Sequence, residues 1–211
     1  MPLTIIKIYL FIAFLGHTLC CFCGRVITYT PNGQFTFKDL SDTTKLAKLF
    51  EGSTGKRQLF SMLGGVISLI MSSLGYNALY QYVGGYSTTY GTILLIALVL
   101  LMVSGTAHHV FCGVVEWFYI RFNKTEEARE AILEFFKKTI STMYICFIAV
   151  LVFSVTLFIA IVTGITGLST WTCVFSVVTF FIILLPFRIV GSFNIASALM
   201  FLSLFITLCA I

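Results

Sequence analysis

The side chains able to do chemistry are few and sit in apolar surroundings. His17, His108, His109 and Glu116 fall inside long apolar runs, with Cys20, Cys21, Cys23 and Cys112 close by in sequence. An ionisable group in a bilayer is costly unless it meets a partner or a wet cavity, so each is a candidate for function. At about 100° per residue, Gly105, His109, Cys112 and Glu116 share one narrow helical stripe, while His108 points about 100° away from His109. His109 and Glu116 are of the right types for a proton relay or for acid–base catalysis, since imidazole titrates near neutrality. Their separation corresponds to about 10.5 Å of helix axis, so a substrate or waters would have to bridge them. The plain alternative is a hydrogen-bonded histidine pair with Glu116 reaching interfacial water.

Metal chemistry is a second reading. His17, His108, His109, Cys20, Cys23 and Cys112 carry the right atoms for zinc or copper, and Cys20-x-x-Cys23 has a familiar ligand spacing. A bis-histidine haem between His17 and a histidine of the third span is a further alternative. Against both, neighbouring His108 and His109 point apart, no H-E-x-x-H occurs, and a cysteine on a membrane helix is often only a small hydrophobe. No metal is therefore assigned, and the sequence identifies no cofactor. Gly52-Ser-Thr-Gly-Lys56 resembles part of a phosphate loop but lacks its first glycine and the hydroxyl residue after the lysine. Glu116 is the only acidic group in or beside an apolar segment, which rules out a two-carboxylate mechanism within the membrane.

These residues must be positioned by membrane helices. Of 211 residues 59% are apolar and 10% charged, and mean hydropathy is +1.03. Soluble domains carry about 25% charged residues, which excludes a soluble enzyme or a nucleic-acid binder. Six apolar segments are read, at approximately 3–24, 59–83, 89–120, 139–164, 172–187 and 189–211. A segment in lipid must satisfy its own backbone hydrogen bonds, so these are helices. The sequence predicts an all-α, six-span transmembrane bundle forming a single integral membrane domain. Pro186, Arg188 and Gly191 lie between the last two segments and predict a tight hairpin, with one re-entrant unit as the alternative.

Charge sets the expected orientation. Twelve of the 13 Lys and Arg residues fall in three links, 25–58, 121–138 and Arg188, leaving only Lys7 on the other side. The positive-inside rule puts these links in the cytoplasm and both termini outside, in a multi-pass protein of the cell membrane. His17, His108, His109, Cys112, Glu116, Arg188 and Asn194 then all fall in the inner half of the bundle, which predicts a polar pocket there. Span two carries Ser61, Gly65, Ser68, Ser72 and Gly75 at steps of three and four, a spacing that lets another helix approach closely. In the first link, 39–51 places Leu46, Leu49 and Phe50 on one side, either as a helix on the inner leaflet or as a solvated linker. Thr125 is a predicted N-cap, and Glu134 pairs with Lys138 one turn on.

The stretch 57–120 resembles an uncharacterised family of small bacterial multi-span membrane proteins. The resemblance rests on Arg57 leading into Leu63-Gly64-Gly65, on Tyr76–Tyr80 and on Gly105-Thr-Ala-His108, with Pro186 and Asn194 near the last span. It implies no activity. His109 and Glu116 also resemble, in residue type, the intramembrane His and Glu that emopamil-binding and sigma-2 receptor-like proteins use on a sterol-like ligand. Together these features predict a protein that binds or moves a small amphipathic or lipidic ligand among membrane lipids, with no role for nucleic acid. An intramembrane acid–base enzyme acting on a lipid through His109 and Glu116 is the alternative, and a structural subunit without chemistry is the third.

Overall fold

The computed structural model describes residues 1–210. Four helices are long enough to cross a bilayer unaided: α1 (Leu3–Thr28), α3 (Lys56–Gly84), α4 (Thr88–Arg121) and α6 (Ser141–Val162). The shorter helices are α2 (Thr43–Leu49), α5 (Glu126–Thr139), α7 (Val177–Leu184) and α8 (Ser192–Cys209). A two-residue hairpin, β1 (Tyr29–Thr30) with β2 (Gly33–Gln34), is the only sheet among the described residues. By length and composition five helices qualify as membrane spans, α8 being the fifth and α6 continuing α5.

The broadest seam joins α1 to α3, followed by α3–α4, α4–α6 and α1–α8. Small residues make the first of these possible. A side chain at Gly16 of α1 would collide with the backbone of Ser68 and Ser72, and one at Gly75 with Ala13 and Phe201. At the α3–α4 turn, a side chain at Gly91 would meet the Gly84 backbone 2.7 Å away. The Ser61–Gly75 stripe thus buries every one of its members. Arg57 closes the other end of α1 by donating to the carbonyls of Val26, at 3.1 Å, and Tyr29. A cation there satisfies carbonyls that the helix leaves orphaned and complements its dipole.

The fifth apolar segment is not one helix. It breaks into a 3-10 turn at Thr170–Val174, the eight residues of α7, and a second 3-10 turn at Leu185–Phe187. Eight residues span only about 12 Å, short of a hydrocarbon core of about 30 Å. Ser176 starts α7 afresh by accepting from the Thr179 N–H, and Pro186 lacks the donor needed to continue it. Arg188 and Gly191, both with positive φ, then turn the chain into α8. The α7–α8 unit is a hairpin whose tip, at Gly191, abuts Cys21 of α1. Met1 and Leu208 line one groove with Tyr82, Tyr86 and Gly167, so both ends of the described chain lie on the face opposite the basic links.

The basic links fold into a cap. Phe35, Leu40, Leu46, Leu49 and Phe50 pack with Val115 and Tyr119 of α4 and Ala128 and Ile132 of α5. The apolar side of α2 is therefore buried against protein, neither laid on a leaflet nor left as linker. Asp39 ties this cap together, accepting from the Thr36 N–H at 2.7 Å, the Thr36 hydroxyl at 2.9 Å and Lys45 at 2.6 Å. Burial alone would push its carboxyl up; the bonds from Lys45 and Thr36 outweigh that and hold it below the ordinary range. Thr125 caps α5 through the Ala128 N–H, and Glu134 pairs with Lys138.

Candidate functional site

A cavity of about 190 Å³ opens among α1, α3, α4, α6 and α8. His17, Cys20, Tyr76, His108, His109, Cys112, Cys146 and Asn194 contribute its polar and thiol groups, and Met102, Phe147 and Phe193 part of its apolar wall. No Lys, Arg, Asp or Glu lines it.

His17 stands about 21 Å along α1 from Leu3 and is only 2% exposed. Its Nδ1 lies 3.1 Å from Asn194 Oδ1, a bond that ties α1 to the first turn of α8. The amide oxygen only accepts, so Nδ1–H donates and the lone pair falls on Nε2. Nε2 is buried and has no partner. The imidazole stacks on Phe201 at 5.6 Å and meets Tyr76 edge-on at 5.8 Å. Tyr76 is 1% exposed, and Phe153 and Phe201 clamp its ring at 5.0 and 4.9 Å. Its hydroxyl likewise makes no hydrogen bond, although the Ser197 side chain stands near it. Of the seven buried side-chain polar atoms without a hydrogen bond among the described residues, these two belong to residues that line the cavity, and such atoms call for a partner.

The histidines of α4 are spoken for on one or both nitrogens. His109 Nε2–H donates to the Ser61 carbonyl at 3.0 Å, its ring filling the place where a side chain at Gly65 would stand. His108 Nε2 is 3.5 Å from the Cys112 thiol, and Nδ1 is 3.4 Å from the Thr142 hydroxyl. That hydroxyl already donates to the Thr139 carbonyl, so it accepts from His108 Nδ1–H, and Nε2 receives the thiol proton. The two rings diverge to different neighbours, as their 100° offset requires.

Two residues expected in the pocket lie elsewhere. Glu116 is absent from the cavity wall; it is 1% exposed and accepts from Gln58 Nε2 at 2.9 Å. A turn or two of helix nearer the cap puts it against the start of α3, where Gly113 allows Met62 and Gln58 to approach. Arg188 is exposed at the hairpin tip in a left-handed conformation and pairs with no carboxylate among the described residues.

Sequence reasoning missed Tyr76, Gln58 and Ser61 as site or partner residues. Tyr76 was in reach: it continues the i, i+4 stripe one step beyond Ser72. Among the described residues no three of His, Cys, Asp and Glu converge as metal ligands, and all seven cysteines are free.

The fold and its apolar exterior define a multi-pass helical membrane protein built around an uncharged polar cavity. Residues 1–210 match the model of a family of unknown function, DUF6796, and the chain belongs to that family. Comparisons with curated proteins and with solved structures give no match.

Proposed function

We propose that this protein binds, and by exchange with the bilayer moves, a small amphipathic or lipidic molecule whose polar end enters the cavity. The observation that carries this reading is that His17 and Tyr76, which both line the cavity, each keep a buried polar atom, Nε2 and OH, without a hydrogen bond. A cavity of 190 Å³ is below the roughly 300–1,000 Å³ of sites that enclose a whole drug-sized ligand. It suits a head group, with the apolar body outside. The exit is the wall between α6 and α8. These helices share no seam like those elsewhere in the bundle, and there the barrier is an edge-to-face contact of Phe147 and Phe193 at 5.6 Å. Phe147 is 46% exposed on the surface that meets acyl chains.

The basic cap supports an orientation with residues 25–58 and 121–138 in the cytoplasm and both termini outside. The cavity of a single integral domain in the cell membrane would then fall in the inner half of the bilayer. The alternative enzyme reading draws no support from Glu116, whose carboxylate is bonded to Gln58 away from the cavity wall. Native mass spectrometry of the protein released from its own membranes tests the proposal. A bound amphiphile is expected on the wild type, with occupancy reduced by Tyr76→Phe, which removes the hydroxyl and keeps the ring. An empty wild type, or equal occupancy in the variant, would contradict it.

A further inference from the structure

We infer that the ligand is an uncharged, hydroxyl-bearing amphiphile, such as a long-chain alcohol or an acylglycerol, and not a fatty acid, an amine or a phospholipid. This rests on the reading of the cavity as a ligand site and specifies what the site takes. Three features of the wall select the head group. First, no Lys, Arg, Asp or Glu lines it, and its only bases are the imidazoles of His17, His108 and His109, so a carboxylate, phosphate or ammonium would be buried without a permanent counter-charge. Second, His17 Nε2 offers a lone pair, because its Nδ1–H is committed to Asn194. It asks the ligand for a donor. Third, Tyr76 OH forms no hydrogen bond, although the Ser197 side chain stands near it, so its proton is free for a ligand lone pair. A hydroxyl group supplies both from one oxygen atom, donating to His17 and accepting from Tyr76. An ether or ester oxygen supplies only the second. The space, about six times the volume of a water molecule, fits a head of that size. The Phe147–Phe193 side leaves an alkyl chain in lipid.

The test uses the full chain in nanodiscs, with probes built on one twelve-carbon chain at equal mole fraction: 1-dodecanol, methyl dodecyl ether, dodecanoic acid and dodecylamine. Native mass spectrometry counts each bound probe in competition. Dodecanol is expected to outbind the ether, the acid and the amine by about tenfold or more, the worth of one buried hydrogen bond. Tyr76→Phe should weaken dodecanol and the ether alike, leaving their ratio unchanged. His17→Phe, which keeps the stack on Phe201, should bring the ratio towards one. Asn194→Ala frees the tautomer of His17 and should lower the same ratio, which keeps the test decisive if His17→Phe does not fold. Equal binding of dodecanol and the ether, or preference for the acid or amine, would overturn the hydroxyl inference while leaving the cavity a ligand site. A wild type that binds no probe and carries no endogenous amphiphile would overturn the reading beneath it.

Discussion

Gly65→Ala probes the cavity wall at its most tightly packed point. The added methyl would stand inside the imidazole of His109, overlapping Nε2 and crowding Cδ2. The backbone of α3 is held on its other side by α1, where Ser61 donates to the Cys23 carbonyl at 2.6 Å, so the imidazole must yield. Swinging it away forfeits the 3.0 Å bond to the Ser61 carbonyl and leaves a polar ring without its partner, at about 1–3 kcal/mol. Overpacking adds about 1–3 kcal/mol. A small gain comes from replacing glycine by alanine in a helix, about 1 kcal/mol. The net loss is about 1–5 kcal/mol, or a fall in melting temperature of roughly 2–20 °C for a chain of this size. Thermal unfolding in detergent measures it, and a double-mutant cycle with His109→Ala locates its source. In the His109→Ala background the methyl has room, so Gly65→Ala should cost less than about 1 kcal/mol. An unchanged penalty in that background, or no penalty in the wild type, would refute the packing argument.

Three further outcomes follow from the same contacts. Glu116→Gln preserves the bond from Gln58 and offers a donor to the unpartnered Gln58 Oε1, so stability should change by under about 1 kcal/mol; Glu116→Leu orphans the carboxamide and should cost about 1–3 kcal/mol in the same unfolding assay. Asp39 titrates lower in the folded cap than in the unfolded chain, so its contribution is complete above the unfolded carboxylate range and disappears as pH falls through the folded value. Hydrogen-exchange protection factors over residues 35–50, corrected for the intrinsic rate, should therefore fall below about pH 4, whereas Asp39→Asn should show lower protection at neutral pH that no longer falls with the Asp39 titration. In a cysteine-free background, a cysteine at Lys48 should resist an impermeant thiol reagent on intact cells and one at Ser169 should react; the reverse pattern would invert the proposed orientation.

The long helices were legible in the sequence because apolar length and backbone self-satisfaction leave a membrane chain few choices. The seam of Ser61, Gly65, Ser68, Ser72 and Gly75 was legible for a related reason: small side chains at helical spacing have one obvious use. Five of the seven residues expected in the pocket, His17, His108, His109, Cys112 and Asn194, line one cavity. Partner choice was not legible. Whether His109 meets His17, Glu116 or the Ser61 carbonyl depends on the rotation and height of α3 against α4, and these follow from contacts such as Gly113 with Met62 that no single helix encodes. The same holds for Glu116, whose partner Gln58 lies just outside the apolar run assigned to span two. The break in the fifth segment escaped because its composition is uniformly apolar, and only Ser176 and Pro186 signal where the helix restarts and stops. The cap escaped because the apolar residues of two separate links, 25–58 and 121–138, bury each other, and amphipathicity in one link says nothing about where its face will be covered.

The most direct test of the central claim is an experimental density map of the protein in its native lipid, at a resolution that shows side chains. The account predicts elongated density with its head between His17 Nε2 and Tyr76 OH and its tail leaving past Phe147 and Phe193. A cavity holding only ordered water bonded to His17 and Tyr76, with the Phe147–Phe193 contact closed and no lipid against it, would contradict it.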